Sequence, residues 1–347
     1  MADMRPYDAL LVASFGGPEG PDDVMPFLEN VTAGRGVPRE RLAEVAQHYY
    51  HFSGVSPING LNRDLVAAVR DELARSGLEL PVYWGNRHWP PTLVDAIAAM
   101  RDDGVEYAIA FLTSAYASAS SCRQYLGAIE DARQQVGTGA PRIDRLRQYF
   151  NHPGFIAPMA DAVRAALGQL PEPVRQRAQL AFVAHSIPAP MQAASGPAGG
   201  LYVAQLTEAA RLVAELVGGN HERSLSYCSR SGPPSVPWLE PDINDRLAVI
   251  AARDDAPAVV VVPIGFVSDH MEVAYDLDTE AAQTARALKL PFARAATAGT
   301  DPRFAAMVVE LVRERQQLPG DGTTAARALG DLGPAHDVCP PGCCRMR

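Results

Sequence analysis

Residues 263–280, PIGFVSDHMEVAYDLDTE, place Asp269, Glu272, Asp276, Asp278 and Glu280 directly after an apolar run that reads as a buried strand. A helix capped by Ser268 or Asp269 would stack Glu272, Asp276 and Glu280 along one side. Like charges at that spacing repel, so the ladder costs stability unless protons or cations are shared along it. On a surface helix such a ladder is ordinarily a solvated face. Leading out of a buried strand, it suits the carriage of protons or divalent metal ions. His185, in FVAHSIP, ends a second apolar run. A lone histidine is more often structural, but an imidazole facing a carboxylate suits transition-metal handling and proton abstraction alike.

These residues need a scaffold that brings strand ends together. Short aliphatic runs alternate with longer segments of helical period, which predicts an α/β fold with a mostly parallel sheet. The clearest strands span 9–14, 82–85, 108–113, 180–184, 225–227 and 258–265. Each half of the chain repeats one pattern. A first strand ends in a tight turn with proline (SFGGP, HSIP), and a second in a Trp/Pro-rich loop (YWGNRHWPP, YCSRSGPPSVPW). A third ends in TSAYASASS or GFVSDHMEV. We therefore expect two related Rossmann-like halves, residues 6–150 and 151–318, each a parallel sheet flanked by helices. Their cleft would be lined by loops at the carboxyl ends of strands, where open parallel sheets bind ligands. The last helix is expected to pack back on the first half. Residues 319–347 read as a linker and a cysteine-rich tail.

Composition excludes some classes. The chain has 347 residues, is 47% hydrophobic and carries a net charge of −9, which argues against nucleic acid as a partner. No run reaches the length of a transmembrane segment, and the N-terminus lacks the pattern of a signal peptide, so a cytoplasmic enzyme is expected. Peripheral membrane contact stays open. In a reducing cytoplasm Cys122, Cys228, Cys339, Cys343 and Cys344 are not expected to form disulfides. Three of them fall within the last nine residues, a metal-site pattern.

VAHSIP, VPWLEPD and PIGFVSDHMEVAYDLD, with SFGGP and SGVSPING nearer the start, resemble the ferrochelatase family over roughly residues 7–316. The resemblance implies insertion of Fe2+, a substrate, into a porphyrin gripped in a distorted form. It places the catalytic, iron-meeting residues on His185 and Glu272, with Asp276 and Glu280 as a proton or metal relay. It implies porphyrin contacts at Phe15, Arg35, Ser56, Asn59, Arg63, Tyr116 and Tyr125, with Arg87 and His88 as weaker candidates. Phe15 stands where some relatives have a tyrosine able to approach the metal, and a phenyl ring cannot ligate. Thr32 and Ala33 replace arginines of related enzymes.

The actinobacterial look of TSAYASASSCRQY and of the terminal cysteines favours coproporphyrin III, with four propionates, over protoporphyrin IX, with two. The product would pass to a downstream haem-pathway enzyme. Some relatives carry a 2Fe–2S cluster on three C-terminal cysteines plus one from the first half. That implies Cys122, Cys339, Cys343 and Cys344 as ligands, with Cys228 the competitor for the first place. Rival readings are a cobalt or nickel tetrapyrrole chelatase, against which Glu272 stands, and a haem-binding chaperone, which would not turn over.

Overall fold

The computed structural model describes residues 7–232, 235–253, 258–316 and 326–345. The first sheet is built from β1 (Ala9–Ser14), β2 (Val82–Asn86), β3 (Tyr107–Leu112) and β4 (Arg142–Arg145) in the order β2-β1-β3-β4. The second holds β5 (Gln179–His185), β6 (Arg223–Cys228), β7 (Val259–Val262) and β8 (Phe292–Arg294) in the order β6-β5-β7-β8. Every pairing in both is parallel. The chain is thus two Rossmann-like halves with one topology used twice. Parallel strands covered on both faces read as continuous apolar runs. ALLVAS of β1 and VVVV of β7 are buried throughout.

In each sheet the first strand lies between the second and the third, so strand order reverses beside it. Loops leaving the carboxyl ends on either side of such a point diverge and open a crevice. In the second half that point lies between β5, which ends in His185, and β7, which feeds the acidic segment.

The halves share their core. Leu10 and Phe111 of the first sheet, Phe155, Phe182 of the second sheet and Phe304 belong to one buried cluster. The helix Pro302–Gln316 packs on Ile58–Arg75 and on Pro153–Gln169, so the last long helix returns to the first half.

Two strands escaped the sequence reading, β4 (RIDR) and β8 (FAR). Both are short sheet edges carrying arginine, where charge blunts pairing with other chains and hides the hydrophobic signal. The apolar run expected as a strand to residue 265 pairs only as far as Val262, then bends through Ile264 and Gly265. The expected start of the acidic helix also moves. It begins after His270, whose Nδ1 accepts from the Glu272 amide at 3.2 Å. Asp269 does not cap, because its carboxylate is held by Arg294 at 2.9 Å. From Val273 to Ala281 the turns are π-helical, a wide form that recurs at functional sites.

Of the segment expected as a linker and tail, residues 319–325, 346 and 347 lie outside the described residues. The remainder is tied down. Asn151 Nδ2 donates to the carbonyls of Leu329 (2.9 Å) and Gly333 (2.8 Å), and Arg147 to that of Arg327 (3.0 Å).

Candidate active site

His185 leaves the end of β5 and Glu272 opens the acidic helix. Two glycines let these segments meet. A Cβ on Gly265 would lie 2.6 Å from the Ala184 Cα, and one on Gly299 would lie 2.5 Å from the Ser268 Oγ. Any side chain at either place would push the 263–270 loop off the end of β5. Arg294 then locks the loop to the helix, pairing with Asp269 at 2.9 Å and with Asp278 at 2.8 Å, while Thr297 donates to Asp269 at 3.1 Å. Arg294 ends β8, a strand the sequence reading lacked, so its role had no signal there.

The result is an ion pair, with His185 Nε2 3.3 Å from Glu272 Oε1. Burial alone would hold the imidazole neutral, but the facing carboxylate outweighs it and carries His185 up to about 9. Burial likewise opposes the Glu272 charge, and His185 outweighs it, bringing the carboxyl down to about 2. The two titrate as one unit and rest as imidazolium and carboxylate. His185 Nδ1 also faces the Ser186 carbonyl, a contact suited to an N–H donor. His270 Nδ1 lies 3.8 Å from the other Glu272 oxygen, and burial keeps that ring below the usual histidine range.

Asp276, one turn on, is pushed up to about 7, chiefly by burial and further by Glu272 and Glu280, against a hydrogen bond donated by Ser229 Oγ. Ser229 reaches it from a left-handed backbone (φ +61°), a strained conformation for a residue with a side chain. Glu280 is raised by burial and by Asp242. Of the three carboxyls expected in a ladder, Asp276 feels both of the others. Their proton affinities are graded: low at Glu272, near neutral at Asp276.

The first half supplies the facing wall. Tyr49 is half-buried, and the charges of Glu272 and Asp276 add to desolvation in raising its hydroxyl. His48 stacks on Tyr275 with ring centroids 3.7 Å apart and planes 9° from parallel. Behind the site, Tyr202 donates to the His185 carbonyl at 2.9 Å. Tyr49, Tyr202, Ser229, Asp242 and Arg294 all went unnoticed in the sequence, since none shares a local motif with its partners.

The expected porphyrin contacts divide. Phe15 is half-buried beside His88 at 4.6 Å, and Arg35 is exposed nearby. Arg87 lies 4.8 Å over the Tyr125 ring and donates to Gln124 at 3.0 Å. Burial, with Arg87 and Arg35 adding to it, drives His88 down to about 4. Arg87 Nε and His88 Nε2 are buried without a protein partner. Arg63 pairs with Glu19 and covers the Trp84 ring at 5.7 Å.

Other expected contacts are committed to the scaffold. Asn59 is fully buried and bonds Gly17, Pro90 and Asn86. Ser56 is buried against Gly17. Tyr116 is buried with its hydroxyl on the Ile264 carbonyl at 2.8 Å, and Tyr125 is buried beneath Arg87. Spacing alone does not distinguish a lining tyrosine from one that fastens the halves together.

The cysteines separate by half. Cys228 lies on β6 opposite His185, with Ser229 Oγ at 3.4 Å. Cys122, Cys343 and Cys344 are buried together and Cys339 packs against them. Cys343 and Cys344 sulfurs are 3.8 Å apart, and the left-handed Cys344 (φ +51°) turns this adjacent pair inward. A hydrogen bond between Cys122 and Cys344 raises the Cys122 thiol and lowers that of Cys344. Polar hydrogens point at the sulfurs from Gln148 (2.7 Å to Cys122), Arg145 (3.4 Å to Cys339) and the Gly196 amide (3.2 Å to Cys344). Four thiols with such donors are a donor set that suits an iron–sulfur cluster. His336 joins the edge of the group, with Nε2 3.8 Å from Cys343 Sγ. None of the five cysteines forms a disulfide.

Among the described residues no helix is long and apolar enough to cross a membrane. The chain resembles the structure of SirB from Bacillus subtilis with Fe3+ at a TM-score of 0.53 and 12% identity, over 89% of this chain and 97% of that one. A likeness at that identity speaks to fold. A protein of Streptomyces griseus named coproporphyrin III ferrochelatase is 54% identical, over 100% of this chain and 96% of its own. One of the same name from Nocardia farcinica is 55% identical, over 97% and 96%. The ferrochelatase family model matches residues 7–316, both sheets and the whole acidic segment. By that match and those relatives, the chain belongs to the ferrochelatase family.

Proposed function

We propose that the chain inserts Fe2+ into coproporphyrin III to give coproheme, with His185 and Glu272 as the residues that meet the metal and the departing protons. The observation that carries the proposal is the His185–Glu272 pair, 3.3 Å apart at the strand-order reversal and opening onto the graded carboxyls. The names carried by the relatives from Streptomyces griseus and Nocardia farcinica support the choice of porphyrin.

Metal insertion releases two pyrrole protons as Fe2+ enters. At rest the pair holds one proton, on His185, and so cannot accept through the imidazole. An approaching dication raises the cost of the imidazolium and drives that proton outward. Glu272 receives it, Asp276 at about 7 accepts and releases it near neutral pH, and Glu280 passes it toward solvent. The neutral imidazole then takes a pyrrole proton, and the cycle repeats for the second. Arg35 and Arg87 offer positive charge to the porphyrin's carboxylates, and the neutral His88 imidazole lies beside them.

We place the reaction in the cytoplasm, where unpaired thiols stay reduced. Cys122, Cys339, Cys343 and Cys344 are the proposed ligands of a 2Fe–2S cluster. When bound, it would supply a cross-link between the tail and the first half. The test of function is anaerobic turnover of metal-free coproporphyrin III with Fe2+. The His185→Ala variant should lose turnover and keep its fold. Turnover within a few-fold of the parent would remove His185 from the mechanism.

A further inference from the structure

His336 lies outside the four-cysteine set and outside the insertion chemistry. Its ring nitrogen and the sulfurs of Cys339 and Cys343 all lie within 4.8 Å of one another. The stretch HDVCPPGC spaces them as H-x2-C-x3-C, close to the two-to-four-residue spacing of zinc-ligand pairs. The turn between the cysteines is closed by the Cys343 amide on the Pro340 carbonyl at 3.1 Å, with Gly342 in the left-handed region (φ +85°). Arg145 fixes both ends of the group, donating to the His336 carbonyl at 3.0 Å and to Cys339 Sγ at 3.4 Å.

Distance distinguishes what such a group can hold. With metal–sulfur bonds of about 2.3 Å and metal–nitrogen bonds of about 2.0 Å, a tetrahedral ion sets its donors about 3.5–3.8 Å apart. His336 Nε2 and Cys343 Sγ are 3.8 Å apart. A two-iron cluster instead needs its outer ligand pairs spread across both metals. His336 Nε2 and Cys343 Sγ therefore already stand at the scale of a single ion, with Cys339 Sγ within 4.8 Å of both.

We propose that His336, Cys339 and Cys343 form a mononuclear site for a soft divalent ion of the zinc type, filled when no cluster is present. Two thiol protons leave as the ion binds Cys339 and Cys343, and water completes the tetrahedron; where the neighbouring Cys344 takes that place, a third thiol proton leaves. Since Cys339 and Cys343 serve both states, the ion and the cluster exclude each other. Either one pins the tail against Arg145 and Arg123, the latter donating to the Cys343 carbonyl at 3.2 Å. The tail thus has a second way to stay docked when iron–sulfur supply fails. This inference stands apart from the insertion chemistry of His185 and Glu272.

The test uses the full chain, stripped of iron by anaerobic chelation and titrated with Co2+ as a spectroscopic stand-in for Zn2+. The expected result is one Co2+ per chain with thiolate-to-cobalt absorption in the near ultraviolet and tetrahedral bands in the visible, both erased by added Zn2+. His336→Ala should weaken Co2+ binding by at least about tenfold, the lower end of what loss of a mere supporting residue costs a metal site. His336→Cys, which keeps a soft donor, should restore it with a stronger thiolate band. Cys122→Ser should bind Co2+ as the parent does, since Cys122 is not a donor to this ion. Absence of the thiolate band in the parent would overturn the proposal, as would unchanged binding in His336→Ala or loss of binding in Cys122→Ser. A protein that never carries a cluster would refute the 2Fe–2S reading and leave these outcomes unaltered.

Discussion

Replacing Glu272 by Gln keeps the shape of the side chain and removes the charge that holds the His185 proton. In the parent, His185 titrates at about 9, against 6.5 for an unperturbed histidine, and the leading influence that opposes this rise is burial. Without the carboxylate, burial prevails and His185 should titrate at 6.5 or below. That is a change of at least about 300-fold in proton affinity. It corresponds to about 3 kcal/mol in full, and to about half that here, because the two side chains keep 34% and 42% of their surface and solvent screens the pair.

The assay is a histidine-selective NMR titration from pH 5 to 10, with the His185 signal assigned by its loss in His185→Asn. Turnover should fall sharply while porphyrin affinity changes little, because the variant cannot accept a proton. A stability signature accompanies it. The raised His185 contributes fully below about 6.5 and is lost as pH rises through about 9; the lowered Glu272 contributes above 4.5 and is lost as pH falls through about 2. The parent's advantage over Glu272→Gln should therefore be greatest between about 4.5 and 6.5. A His185 that still titrates near 9 in the variant would refute the pairing and the proton path built on it.

Three further outcomes follow from the same geometry. The carboxylate form of Asp276 must accept protons, so turnover should fall as pH drops through about 7, and Asp276→Asn should remove that limb from the pH profile. Glu280→Gln should have a smaller effect than Asp276→Asn; equal and negligible effects would reduce the ladder to a solvated face. With equal iron supply, coproporphyrin III should be turned over in preference to protoporphyrin IX, and Arg87→Ala should raise KM more for the former; a preference for the latter would overturn the choice of porphyrin. Anaerobically purified protein should be brown, with iron and acid-labile sulfide in equal amounts. Cys122→Ser should lose the colour and Cys228→Ser keep it, because Cys228 lies beside His185 on β6 and not with the tail.

The sequence by itself determined the elements with the strongest local signals. Buried parallel strands declare themselves as unbroken apolar runs, and repeated strand-end loops declared the two halves. The residues at those ends, His185 and Glu272, stood out because charge directly after a buried strand is costly without a use. Chain connectivity could not show which distant groups those residues would meet. Arg294, which fixes the acidic loop through Asp269 and Asp278, sits on a three-residue charged edge strand with no hydrophobic signature. Ser229 and Asp242, which shape the proton affinities of Asp276 and Glu280, come from the β6 side of the fold. Tyr116 and Asn59 have the chemistry of ligand contacts, yet burial spends them on joining the halves and bracing loops. Local pattern dictates secondary structure and the positions of charge. Proton affinity and donor geometry depend on burial and on neighbours far away in the chain, so only the tertiary structure decided them.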